Sequence, residues 1–161
     1  MEKKISDLTV KELKSMVRKI VRKELEDYDP DDELVVREEV AELLRKSLKD
    51  RKSGKQTIYS MAEVFGSKWY FWYKMYKLEF TLNAKNSIKK LEKSTQDRIH
   101  DKLLWLRDNC DVLNHKKLKG NYYENIYKLR FGDYRILYTL NKTKKEIIIE
   151  LIGNRKDIYK V

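Results

Sequence analysis

Apolar side chains recur at Val10, Leu13, Val17, Ile20 and Leu25, roughly at helical spacing, and predict one amphipathic helix. Thr9 and Glu12 in "TVKE" form a capping-box pattern at its start. Pro30 and the aspartates of "DYDPDDE" predict a turn that stops it. A second stripe, Val36, Val40, Leu43, Leu44 and Leu48, predicts a second helix ending near Gly54 in "RKSGK". Two short one-sided helices make a thin core and need a partner to bury against. In "KQTIYSMAEVFGSKW", residues 57–59 suit an extended piece, and Ser60 with Glu63 suits the cap of one short helix. This segment is too short to fold alone and reads as an arm that folds on something.

The periodicity changes at Tyr76. Tyr76, Leu78 and Phe80 alternate with Lys77 and Glu79, which predicts a strand with one buried face. "NAKNSIKKLEK" and "STQDRIHDKLLWLRDN" predict two helices, the second starting at Ser94 with Asp97. Their inward positions are Ile88, Leu91, Ile99, Leu103 and Leu106. "NIYKLRF" and "YRILYTL" flank Gly132-Asp133, a hairpin signal, and "EIIIELI" follows the polar turn "NKTKK". The order β-α-α-β-β-β is a complete small α+β domain, expected as a twisted antiparallel sheet with a helical pair on one face. Residues 1–74 then form a helical segment with a trailing arm, and residues 75–161 a second domain beginning at an internal Met75. Between them lies "KWYFWYKMYKLEFT", whose aromatic run is not linker chemistry. It reads either as a lengthened first strand or as an arm whose Trp69, Phe71 and Trp72 pack on the second domain.

Charge separates the two parts further. Residues 1–74 hold 17 Lys/Arg against 15 Asp/Glu, a balance of +2, whereas residues 75–161 hold 20 against 11, a balance of +9. A positive field on the second part favours phosphate-bearing partners, through release of their condensed counterions. No apolar run reaches the length of a membrane span, so no membrane partner is expected. The first ten residues lack an apolar signal region, and the single Cys110 fits a reducing cytoplasm. His100 and His115 are far apart in sequence, read as surface residues, and predict no metal site.

Three pieces of the second part carry a resemblance together: "KKLKGN", "IYKLRFGDYRILY" and "LIGNRKDIY". In this order, after a strand and two helices, they resemble the RelE branch of the RelE/ParE toxin superfamily. The first part is similar in layout to the RelB-like antitoxins encoded upstream of such toxins. The whole chain therefore looks like an antitoxin and its toxin in one polypeptide.

The resemblance implies a metal-independent, cofactor-free endoribonuclease that cuts messenger RNA on the ribosome, held in check in cis by the antitoxin half. In such chemistry the RNA 2′-OH attacks the adjacent phosphorus. The enzyme must take up that proton, hold the charge of the phosphorane and protonate the leaving oxygen. Arginine and lysine suit the charge, and a tyrosine crowded by cations suits proton transfer. The resemblance carries these roles to Arg135 (phosphate stabilisation), Arg155 (charge stabilisation or leaving-group protonation), Tyr159 (general base or base stacking) and Lys128. A second family lysine falls on Ile126 and is absent here. Lys117, Lys119 and Arg130 are the expected RNA-binding residues. A ParE-like inhibitor of DNA gyrase and a non-enzymatic autorepressor are the competing expectations. Operator DNA and a second copy of the chain are the further partners they admit.

Overall fold

The computed structural model describes residues 9–27, 30–31, 34–66, 76–120 and 125–160. The chain divides into two compact units, Met1–Leu34 and Val35–Val161. In the first, α1 (Val10–Asp27) starts at the expected capping box: the Thr9 amide donates to the Glu12 carboxylate at 2.8 Å, and the Glu12 amide to the Thr9 hydroxyl at 3.3 Å. Its stripe differs from expectation. Val10, Leu13, Met16, Val17, Ile20 and Val21 are all exposed. Beyond α1, only Thr9 and residues 30–31 and 34 of this unit are described.

The second unit runs α2 (Glu38–Lys52), β1 (Ile58–Ser60), α3 (Met61–Phe65), β2 (Lys77–Thr81), α4 (Leu82–Lys89), α5 (Lys93–Asp108), β3 (Lys116–Lys117), β4 (Ile126–Phe131), β5 (Tyr134–Asn141), β6 (Glu146–Asn154) and α6 (Arg155–Ile158). The fold is mixed α+β. Its six strands, among the described residues, form one sheet in the order β1-β2-β6-β5-β4-β3. The expected all-antiparallel sheet is corrected at one pair: β2 and β6 run parallel, with Leu78 beside Ile147 and Phe80 beside Ile149. The cause lies in the helices between β2 and β4. Since β4, β5 and β6 alternate in direction, β4 runs parallel to β2, and parallel strands need a long crossover. α4 and α5 are that crossover.

Gly132 adopts φ +56 in the β4–β5 hairpin, a conformation that glycine accepts without a Cβ clash. Leu78, Phe80, Ile136, Tyr138, Ile147 and Ile149 form one core with Ile88, Ile99, Leu103 and Leu106 of α4 and α5. α5 begins two residues earlier than Ser94 and Asp97 suggest. Glu92 is its N-cap residue without a side-chain cap bond, and Asp97 pairs with Lys93 at 3.1 Å instead.

The division between units falls after Leu34, not after residue 74, and residues 35–66 share a unit with the sheet. The exposed hydrogen-bonding edge of β2 explains part of this. β1 covers it in antiparallel register, with Tyr59 opposite Phe80. The Ser60–Glu63 capping box then starts α3. Phe65 sets its ring edge-on against Phe80 and His100, at 5.9 and 5.1 Å between centroids. Met75 and the aromatic run, with Trp69, Phe71 and Trp72, lie outside the described residues.

Candidate functional site

Strand alternation sorts the candidate residues between the two faces of the sheet. Tyr127, Leu129, Ile136 and Tyr138 belong to the α4/α5 core, so Lys128, Arg130, Arg135, Leu137 and Thr139 point to the other face. Register aligns them in rows. Lys116, Lys128, Leu137 and Leu151 form one row across four strands. Arg130, Arg135 and Gly153 form the next. Two arginines directly opposite each other on one face, one row from two lysines, cost stability unless negative charge is nearby. The sequence reading missed Lys116, because strand register is invisible without the partner strand. Lys117, which it named, pairs with Tyr127 and takes the opposite alternation. Lys117, Lys119 and Arg130 are exposed.

The C-terminal turn completes this end of the sheet. Asn154 caps α6, its side chain accepting from the Lys156 amide at 3.1 Å. The Arg155 amide donates to the Asp133 carbonyl at 2.7 Å, which places α6 beside the β4–β5 hairpin turn and hence beside Arg135. The Arg135 guanidinium folds back on that turn, donating to the Gly132 and Tyr134 carbonyls at 2.9 and 2.8 Å. The structure thus brings Arg135, Arg155 and the α6 turn to one end of the sheet, with Lys128 one row away on the same face as Arg135.

These residues are covered. Lys128 is 6% exposed, Arg135 3% and Tyr159 0%, and Arg155 is half-buried. Over Tyr159 the cover is the segment preceding β1. Val36 forms a β-bridge with Tyr159. The Arg37 amide donates to the Ile158 carbonyl at 2.8 Å, and the Lys160 amide to the Val35 carbonyl at 2.8 Å. The Arg37 Nε lies within 2.9 and 3.1 Å of the Lys156 and Tyr159 carbonyls. α2 follows and lays Val40, Ala41, Leu44 and Ser47 inward. Leu43 of the expected stripe is exposed, and Ala41 and Ser47 take inward positions that a search for large apolar residues passes over. At its far end Ser47 donates to the Glu150 carboxylate at 2.7 Å, and Arg51 meets both Glu150 and the Thr139 hydroxyl, the latter at 2.9 Å. α2 is therefore anchored at Tyr159 and at Glu150, across the face that carries Arg135 and Lys128. Of the described arm, Gln56 reaches Ser47 and Arg51 of α2, whereas the part from Ile58 to Phe65 does not cover this face. It follows the β2 edge and the α5 side.

Two tyrosines with shifted acidity both lie on the α4/α5 side, and both move upward. Tyr76 donates to the Asp111 carboxylate at 2.7 Å, which holds its proton, while burial raises Tyr138. His115, expected at the surface, is half-buried beside Tyr138. Its Nε2 lies 2.7 Å from the Cys110 carbonyl, which can only accept, so Nδ1 accepts from the Tyr138 hydroxyl at 2.7 Å. No helix among the described residues is long and apolar enough to cross a membrane.

Residues 78–159, just over half the chain, match the family model of the ParE toxin of type II toxin–antitoxin systems, parDE. No curated protein matches. Three solved structures are similar at low identity. The toxin–antitoxin complex RelBE2 from Mycobacterium tuberculosis shares 22% identity over 50% of this chain and 99% of that one, with a TM-score of 0.40. The isolated Escherichia coli RelE toxin shares 22% over 49% and 83%, with a TM-score of 0.42. The archaeal RelE–RelB complex from Pyrococcus horikoshii shares 24% over 50% and 94%, with a TM-score of 0.41.

Proposed function

Since the chain belongs to the ParE toxin family of type II toxin–antitoxin systems, we propose that its second part is an endoribonuclease toxin acting on messenger RNA at the ribosome, and that residues 35–56 restrain it in cis. The observation that supports this most is the grouping of Lys128, Arg130 and Arg135 on one sheet face, beside the turn that bears Arg155 and Tyr159. Such a group can hold a phosphodiester and the added charge of a phosphorane. Its cover by α2 and residues 35–37 gives the restraint a physical form: RNA reaches Arg135 and Tyr159 only after that segment moves. The segment plays the part of an antitoxin on the same polypeptide.

The test is message cleavage in a translating extract, mapped by primer extension, with the intact chain and with a chain cut by an inserted protease site in the loop at residues 53–57. Cutting should raise cleavage. In the cut chain, Arg135→Ala and Arg155→Ala should each lower it by about two to three decades, the usual effect of removing one preorganised charge from such a site. Lys128→Ala should lower it less, because Ile126 stands where the family's second lysine would be. Equal cleavage by the wild-type cut chain and both arginine variants would refute the ribonuclease reading.

A second reading, inhibition of DNA gyrase, is favoured by the family model's own description as a ParE toxin. It predicts loss of supercoiling by purified gyrase and no message cleavage from the same cut chain.

A further inference from the structure

Glu150 is the most enclosed charge on the sheet, with none of its side-chain surface exposed. Ser47 and Arg51 of α2 reach it from above, and Thr139 approaches from the neighbouring strand at 3.2 Å. Gln56 closes the ring. Its amide nitrogen donates to the Ser47 hydroxyl at 2.6 Å, and its amide oxygen accepts from Arg51 Nε at 2.8 Å. Five side chains thus satisfy one another, three from the covering segment and two from the sheet.

A buried ion pair contributes little net stability compared with apolar packing, because desolvation of both charges offsets their attraction. Its chemistry instead makes two arrangements accessible. Closed, the pair is satisfied within the protein. Open, both charges return to water, which apolar residues at the same positions would resist. The remaining contacts of α2 are modest for a 15-residue helix. Its buried positions are Val40, Ala41, Leu44 and Ser47.

We infer that the Glu150–Arg51–Ser47–Gln56–Thr139 ring is a polar lock that holds α2 over the cationic face, and that opening it releases α2 while the sheet and the α4/α5 core stay folded. Resting on the proposed function, this makes the lock the regulatory element of that site. It differs from a purely structural ion pair, whose loss would loosen the sheet together with the helix.

Amide hydrogen exchange on the full-length chain tests it, using Arg51→Glu, which sets two carboxylates against each other, and the exchanged pair Arg51→Glu/Glu150→Arg. In Arg51→Glu, amides of residues 40–52 should exchange about 100-fold faster, as breaking one buried pair implies, while those of residues 134–140 keep their protection. The exchanged pair should recover most of the α2 protection. Three results would overturn the lock: unchanged α2 protection in Arg51→Glu, loss of sheet protection together with it, or no recovery in an exchanged pair whose sheet is intact. Message cleavage by the same variants separates this inference from the function on which it rests. If Arg51→Glu frees α2 without raising cleavage, the lock stands and the restrained ribonuclease fails.

Discussion

The two faces of the sheet are built on different chemistry. Toward α4 and α5 the strands present Leu78, Phe80, Ile136, Ile147 and Ile149, and the half-buried His115 imidazole there is satisfied by Tyr138 and Cys110. Toward α2 they present Lys128, Arg135 and Glu150, each at most 6% exposed, among Leu137 and Ile126. An apolar face is covered permanently, since uncovering it exposes hydrocarbon to water. A face of buried charges is covered conditionally, since its groups regain hydration when the cover leaves. The difference teaches where a cover can be released without losing the fold, and it can be broken at either face.

The largest effect is expected on the apolar side. Ile149→Ala leaves a void among fully buried neighbours and should destabilise the unit by about 3 kcal/mol in urea titration. Every structured part of Val35–Val161 should unfold in the same transition. Leu44→Ala removes the largest fully buried side chain of α2. It should cost about 2 kcal/mol, expressed first as faster exchange in residues 40–52 with the sheet still protected. If Leu44→Ala unfolded the sheet as readily as Ile149→Ala, the two faces would not be separable.

This asymmetry was only half legible in the sequence. The α4/α5 face announced itself by alternation in "YKLEF" and by helical spacing at Ile88, Ile99, Leu103 and Leu106, because large apolar side chains report their own burial. Arg135, Arg155 and Tyr159 were singled out through motif resemblance, and the structure brings Arg135, Arg155 and the turn bearing Tyr159 to one end of the sheet. Their burial was not legible, since nothing in "GDYRILY" says which helix lies above it. Nor was the inward turn of Ser47 and Glu150, because polar residues on a stripe read as solvent-facing until their partners are known. The parallel β2–β6 pair depends on contacts nearly seventy positions apart, which periodicity does not encode.

A smaller effect tests how tightly α6 packs on β6. A Cβ on Gly153 would lie 3.2 Å from Cγ1 and 3.3 Å from Cδ1 of Ile158, closer than packed carbons ordinarily sit. Ile158 is 1% exposed, so it yields only by shifting the α6 turn. Gly153→Ala should therefore cost about 1 kcal/mol, with faster exchange at residues 156–160, the stretch whose Tyr159 bridges Val36. Unchanged exchange there would show that Ile158 adjusts without moving the turn, and that α6 is not tightly coupled to β6.

The smallest effect marks the boundary of the apolar side by chemistry. Cys110 is 1% exposed, and burial, helped by the Asp111 carboxylate, pushes its thiol up from the ordinary range. Both factors lower the thiolate available for alkylation, so at pH 7.5 the native chain should react with iodoacetamide at least about tenfold more slowly than the same chain in denaturant. The useful comparison is with the opened variants. Cys110 belongs to the core under α5, not to the face under α2. Arg51→Glu should leave its alkylation rate at the native value, while Ile149→Ala in moderate urea should raise it as the unit unfolds. A rate that rose with Arg51→Glu would mean that releasing α2 also loosens the α5 side, and the distinction between a permanent and a conditional cover would fall.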